Sequence, residues 1–66
     1  MIITVNGDER VVPPDVTITD LVEAMGVPSR GIAVALDREV VPRSAWPHTV
    51  LVSDARVDVV TAMQGG

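Results

Sequence analysis

The stretch TITDLVEAMG, residues 17–26, decides how this chain folds. Ile18, Leu21, Val22 and Met25 recur at i, i+3, i+4 and i+7, which places them on one face of a helix. Asp20 and Glu23 fall on the other face. Thr17 stands where an N-cap hydroxyl accepts an early helix N–H. Asp20, three residues on, occupies the acidic place of a capping box, where Glu or Gln is usual. Gly26 can close the helix in a left-handed conformation, and Pro28 blocks a restart. No other segment of the 66 residues carries a comparable period, so one main helix is expected.

Strand signals flank this helix on both sides. MIITVN (residues 1–6) is rich in β-branched residues, GDE (7–9) is expected to turn, and RVVP (10–13) to return as a second strand, making a hairpin. Pro13 and Pro14 then end the ladder, because proline has no N–H to donate. After the helix, GIAVAL (31–36) is expected as a third strand, DRE (37–39) as a turn and VV (40–41) as a short fourth strand. PRSAWPH (42–48) is expected to be irregular with one 3₁₀ turn, and TVLV (49–52) to extend briefly. SDA (53–55) turns into the last strand, RVDVVTAM (56–63). The order β-β-α-β-β-β predicts an α+β fold, a mixed sheet of four to five strands with one helix on one face. We expect one domain over residues 1–62 and a flexible tail over 63–66.

Along the last strand, side chains alternate between the two faces of the sheet. Asp58 should point to water, which sends Val57 and Val59 to the core and leaves Val60 and Ala62 outside. The third strand follows suit, with Val34 and Leu36 inward and Ala33 and Ala35 outward. Val60, Ala62, Ala33 and Ala35 are therefore a candidate docking patch, with Met63 beside it. The alternative is ordinary exposure, since more than half of any protein surface is apolar.

Composition narrows the function. At this length, folding buries only about 60% of the unfolded chain's surface, and a 47% hydrophobic content supplies the core. Cysteine is absent, which removes disulfides, thiol catalysis and cysteine zinc sites together. His48 is the single histidine, so no metal site is expected. The formal net charge is -4, and all five basic residues are arginines: Arg10, Arg30, Arg38, Arg43 and Arg56. They are scattered rather than striped, against nucleic-acid binding. No apolar run approaches the ~20 residues of a membrane helix, and the N-terminus lacks signal-peptide character. These features lead us to expect a soluble cytoplasmic protein. Asp8, Glu9, Asp20, Glu23 and Asp58 read as a solvated acidic surface that can steer a basic partner. Arg43 reads as satisfying the bend in VPR, and Trp46 as a partly buried cover at the core edge.

The sequence ends in QGG, residues 64–66. Two glycines after a strand make a thin tail with wide backbone freedom, able to enter a channel that a bulkier terminus could not. A C-terminal carboxylate, with a pKa of about 3.3–3.7, is ionised at neutral pH and a poor electrophile. Held in line, it can attack the α-phosphorus of a nucleotide, largely a matter of positioning. The acyl-adenylate so formed is open to attack by sulfur at carbon. This chemistry needs a carboxylate and a docking surface but no catalytic side chain of the carrier's own. Composition and spacing alone leave this reading level with an ordinary frayed terminus.

Three segments together, TITDLVEAMG, GIAVALDREVVPRSAW and VDVVTAMQGG, resemble the thiamine-biosynthesis sulfur carrier proteins of the ThiS type. EVVPRSAW (39–46) and TAMQGG (61–66) are the most specific pieces, and the resemblance spans essentially the whole chain. It implies a ubiquitin-like β-grasp fold with the first and last strands adjacent and parallel. It implies a carrier rather than an enzyme, monomeric when free and binding no cofactor. An E1-like enzyme would use ATP to adenylate Gly66. A cysteine desulfurase or rhodanese-type donor would supply sulfur for a Gly66 thiocarboxylate, and thiazole synthase would take that sulfur. Gly65, Gln64 and Met63 would thread into both partners. The alternatives are the small subunit of molybdopterin synthase, a ubiquitin-like protein modifier, and a β-grasp interaction module with idle glycines.

Three turns depart from the family's habit, which favours glycine there. Asp15, Asp37-Arg38 and Ser53-Asp54 stand in those places. Asp tolerates left-handed backbone, but Arg38 does so less readily, so its turn is expected to be of another type.

Overall fold

The computed structural model describes residues 1–28 and 30–61. Five strands form one sheet in the order β2-β1-β5-β3-β4. They are β1 (Ile2–Val5), β2 (Asp8–Val11), β3 (Ile32–Leu36), β4 (Glu39–Val41) and β5 (Arg56–Thr61), with helix α1 (Ile18–Met25) and a 3₁₀ helix (Arg43–His48). β1 and β5 run parallel at the centre, with Thr4 level with Arg56 and Val5 with Val57. The flanking pairs are antiparallel. This mixed sheet with one helix is the ubiquitin-like β-grasp.

The helix forms as its sequence dictates. Thr17 Oγ1 accepts the Asp20 N–H at 3.1 Å, and Asp20 Oδ2 accepts the Thr17 N–H at 3.0 Å. The shorter Asp thus completes a capping box as Glu would. Gly26 closes the helix at φ 73°. Ile18, Leu21 and Val22 are buried against Ile3 and Val5 of β1, Val34 of β3 and Val57 of β5. Val59 and Leu36 pack at the edge of that core, as the alternation predicts.

Five local expectations are corrected. The first hairpin turns at Asn6-Gly7, not over residues 7–9, so Asp8 and Glu9 belong to β2, which ends at Val11. Asn6 (φ 52°) and Gly7 (φ 86°) both adopt the positive φ that a tight two-residue hairpin turn requires. The next hairpin turns at Asp37-Arg38 alone, with Glu39 already paired in β4. Arg38 takes φ 74° and Asp37 φ 49°, so this turn is of the positive-φ kind despite the arginine. Register explains it: Leu36 pairs with Glu39, leaving only two residues to reverse the chain. Asp15 (φ 66°) and Asp54 (φ 68°) are left-handed, as their side chains allow.

The third correction concerns residues 43–48, which form a continuous 3₁₀ helix rather than one turn. The fourth is Trp46, which is not a partly exposed cover but 4% exposed. Its indole N–H donates to the Val41 carbonyl at 2.9 Å, and the Arg43 guanidinium sits 5.9 Å from the ring centroid. A buried indole with its one donor satisfied anchors the segment to α1 and fixes its geometry. Residues 49–52 do not form a strand. They make one antiparallel bridge, Thr17 to Val50, with Leu51 buried beside it. The last strand is described to Thr61; its expected extension, and the expected boundary between residues 62 and 63, lie outside the described residues.

Candidate functional site

Because β5 is central, its outer face is flanked by both hairpins. One side of the sheet carries α1 and the core; the other is open. On β5 the open face carries Arg56, Asp58 and Val60. The antiparallel register sets Ala33 opposite Val60 and Ala35 opposite Asp58. On the next strand Val40 pairs with Ala35. Side chains directly opposite on one face are in contact range, so Val60 meets Ala33 at the end of the described β5, and one step further in Ala35 stands between Asp58 and Val40. Val60 is 56% exposed and Val40 73% exposed, while the alanines are half-buried.

Val40 was not among the residues singled out from the sequence. Val41 packs against the core, so Val40 faces outward; the pair Val40-Val41 by itself does not say which of the two is buried. A second exposed pair, Ile2 and Val11, also lies on the open face. Thr4 is level with Arg56 and β1 parallels β5, so this pair sits at the opposite end from Val60.

Polar groups border the patch. Arg56 Nε lies 3.6 Å from Asp58 Oδ2, and both side chains are solvent-accessible. Such a pair adds little to stability. Asp37 has a firmer role: its N–H donates to the Arg56 carbonyl at 2.8 Å, and its Oδ1 accepts the Arg56 N–H at 3.1 Å. The turn thereby sets the start of β5. Asp8, Glu9, Asp20 and Glu23 are all exposed. Ala62, Met63, Gln64, Gly65 and Gly66, the remaining residues singled out from the sequence, lie outside the described residues.

Among the described residues, no three of His, Asp or Glu gather as a metal site. A shallow cleft of about 230 Å³ lies between α1 and the 3₁₀ helix, lined by Thr19, Val22, Glu23, Arg43 and Trp46. It is on the helix side of the sheet, away from the open face. No helix among the described residues is long and apolar enough to cross a membrane.

A β-grasp body with small apolar side chains exposed at the end of its central strand, in a sequence that continues to Gln-Gly-Gly, is that of the ubiquitin-like class of carriers and modifiers. Within that class the family is resolved: residues 2–66 match the ThiS family, and the chain belongs to it, a family of small sulfur carriers. It is similar over its whole length to the crystal structure of a thiamine biosynthesis protein (ThiS) from Geobacter metallireducens, at 30% identity and TM-score 0.86, covering all of both chains. A solution structure of a thiamine biosynthesis protein from the same organism matches at 30% identity and TM-score 0.80, covering all of this chain and 88% of that one. A thiazole synthase from Paramagnetospirillum magneticum is 30% identical over all 66 residues, and the chain spans about a fifth (20%) of that protein's length.

Proposed function

We propose that this chain carries sulfur as a thiocarboxylate on Gly66 and delivers it to thiazole synthase in thiamine biosynthesis. The observation that carries this reading is the family match, whose span of residues 2–66 includes Gly65 and Gly66. A thiazole synthase one fifth of which resembles this entire chain supports the pairing of carrier and synthase.

The chemistry follows from the carboxylate. An E1-like partner holds ATP and the Gly66 carboxylate in line. A carboxylate oxygen attacks the α-phosphorus, pyrophosphate leaves, and the carbonyl carbon becomes electrophilic. A sulfur nucleophile from a cysteine desulfurase or rhodanese-type donor attacks that carbon and AMP leaves. The product is an acyl persulfide joined to the donor; a thiol then attacks the donor-side sulfur, the S–S bond breaks, a disulfide forms on the donor, and Gly66 is left as a thiocarboxylate. The chain itself binds no cofactor and acts as co-substrate, monomeric between transient encounters. Val60, Ala33, Ala35 and Ala62 dock the partners, and Met63, Gln64 and Gly65 thread the tail into them.

Intact-mass spectrometry tests this. Incubated with such an activating enzyme, MgATP and the sulfur donor, the chain should exchange one terminal oxygen for sulfur. Deleting Gly66 should abolish the exchange and leave Tm nearly unchanged. A carboxylate that persists, with an enzyme shown competent on another carrier, would refute the proposal. Covalent adducts to other proteins would point to a modifier instead.

A further inference from the structure

β5 is longer than the neighbour that should support it. The β1–β5 register runs through Val5 and Val57, and the Asn6 N–H still donates to the Val57 carbonyl at 2.9 Å. A regular parallel ladder would continue with the Asn6 carbonyl accepting from the Val59 N–H. It cannot, because Asn6 sits at φ 52° and swings the chain into β2. Instead the Asn6 side chain substitutes: its Oδ1 accepts the Val59 N–H at 2.8 Å. The bond spans 53 residues of sequence and is the last tie on that flank among the described residues. Beyond it, β5 is held on its other flank by β3, with Val60 opposite Ala33 and Thr61 opposite Ile32.

We infer that Asn6 is a positioning residue for the tail. One side chain performs two tasks that pull on the same atoms. It tolerates the left-handed backbone of the hairpin turn, and from that conformation its amide oxygen reaches across to fix the end of β5. Val59 lies two residues before Thr61, where the described part of β5 ends, so this bond fixes the end of the strand from which the proposed tail would start. An in-line attack depends steeply on such placement. This inference rests on the sulfur-carrier reading for its kinetic arm and on geometry alone for its structural arm.

The two tasks separate by substitution. Asn6→Gly keeps the turn, since glycine takes positive φ freely, but removes the acceptor. Asn6→Asp keeps both, because a carboxylate oxygen accepts the same bond. In amide hydrogen exchange, the Val59 N–H should exchange about three- to tenfold faster in N6G, as expected for one lost hydrogen bond, and at the native rate in N6D. With an activating enzyme that charges the wild type, N6G should lose about three- to tenfold in kcat on the same scale, with KM nearly unchanged because the docking face is intact. N6D should recover it. If N6G is charged like the wild type, or if N6G and N6D fall equally, Asn6 does not position the tail. If an enzyme shown competent on another carrier does not charge the wild type at all, the sulfur-carrier reading fails. The exchange arm then decides alone, and an unchanged Val59 rate in N6G overturns the inference.

Discussion

Arg38→Gly should stabilise this protein. Arg38 is held at φ 74° by a register that leaves only Asp37 and Arg38 to reverse the chain between Leu36 and Glu39. A residue with a Cβ in left-handed backbone carries roughly 1–2 kcal/mol of steric cost, which glycine escapes. Glycine gives back about 0.5–1 kcal/mol through its greater freedom in the unfolded chain. At the midpoints of these ranges the net gain is about 0.75 kcal/mol, which in a domain of this size raises Tm by about 3–6 °C. Thermal melting followed by circular dichroism reads this directly. Asp37→Gly is the internal control, because it relieves less strain and also removes the acceptor of the Arg56 N–H. Loss of that bond costs about 0.5–1.5 kcal/mol, so D37G should leave Tm unchanged or lower it. A lower Tm for R38G, or a larger rise for D37G than for R38G, would refute the assignment of strain to Arg38.

Two further predictions concern the helix and the open face. Thr17→Ala removes the acceptor of the Asp20 N–H and should cost about 1 kcal/mol, lowering Tm by about 4–8 °C in the same melting assay, while the backbone bridge to Val50 persists. Val60→Asp places a carboxylate in the patch shared with Ala33. It should weaken binding to the activating enzyme at least about tenfold by calorimetry, through lost apolar burial and a desolvated charge, with Tm nearly constant.

The capped helix and the facing of the last strand were both legible in the sequence, because each rests on local chemistry. Thr17, Asp20 and Gly26 lie within one helix, and the alternation from Val57 to Val60 is a property of one strand. The first turn was legible too, in Asn6-Gly7, but the glycine drew the turn one residue late. Arg38 could not be read, since arginine has no preference for left-handed backbone and enters it only because pairing on both sides forces it. Val40 needed a partner strand to give its exposure meaning.

What the amino-acid sequence determined by itself is the inventory: one amphipathic helix, a set of short β-branched strands, no thiol, and a glycine tail that matches a family of sulfur carriers. Only the tertiary structure decided what those parts do to one another. It set β5 between β1 and β3, brought Val60 level with Ala33, and carried Asn6 to the Val59 amide across most of the chain. The physical reason is range. Periodicity, caps and turn residues act over a few positions and are written where they act. The hydrogen bond that holds the exit strand joins residues from opposite ends of the chain, and it exists only once the sheet has closed around it.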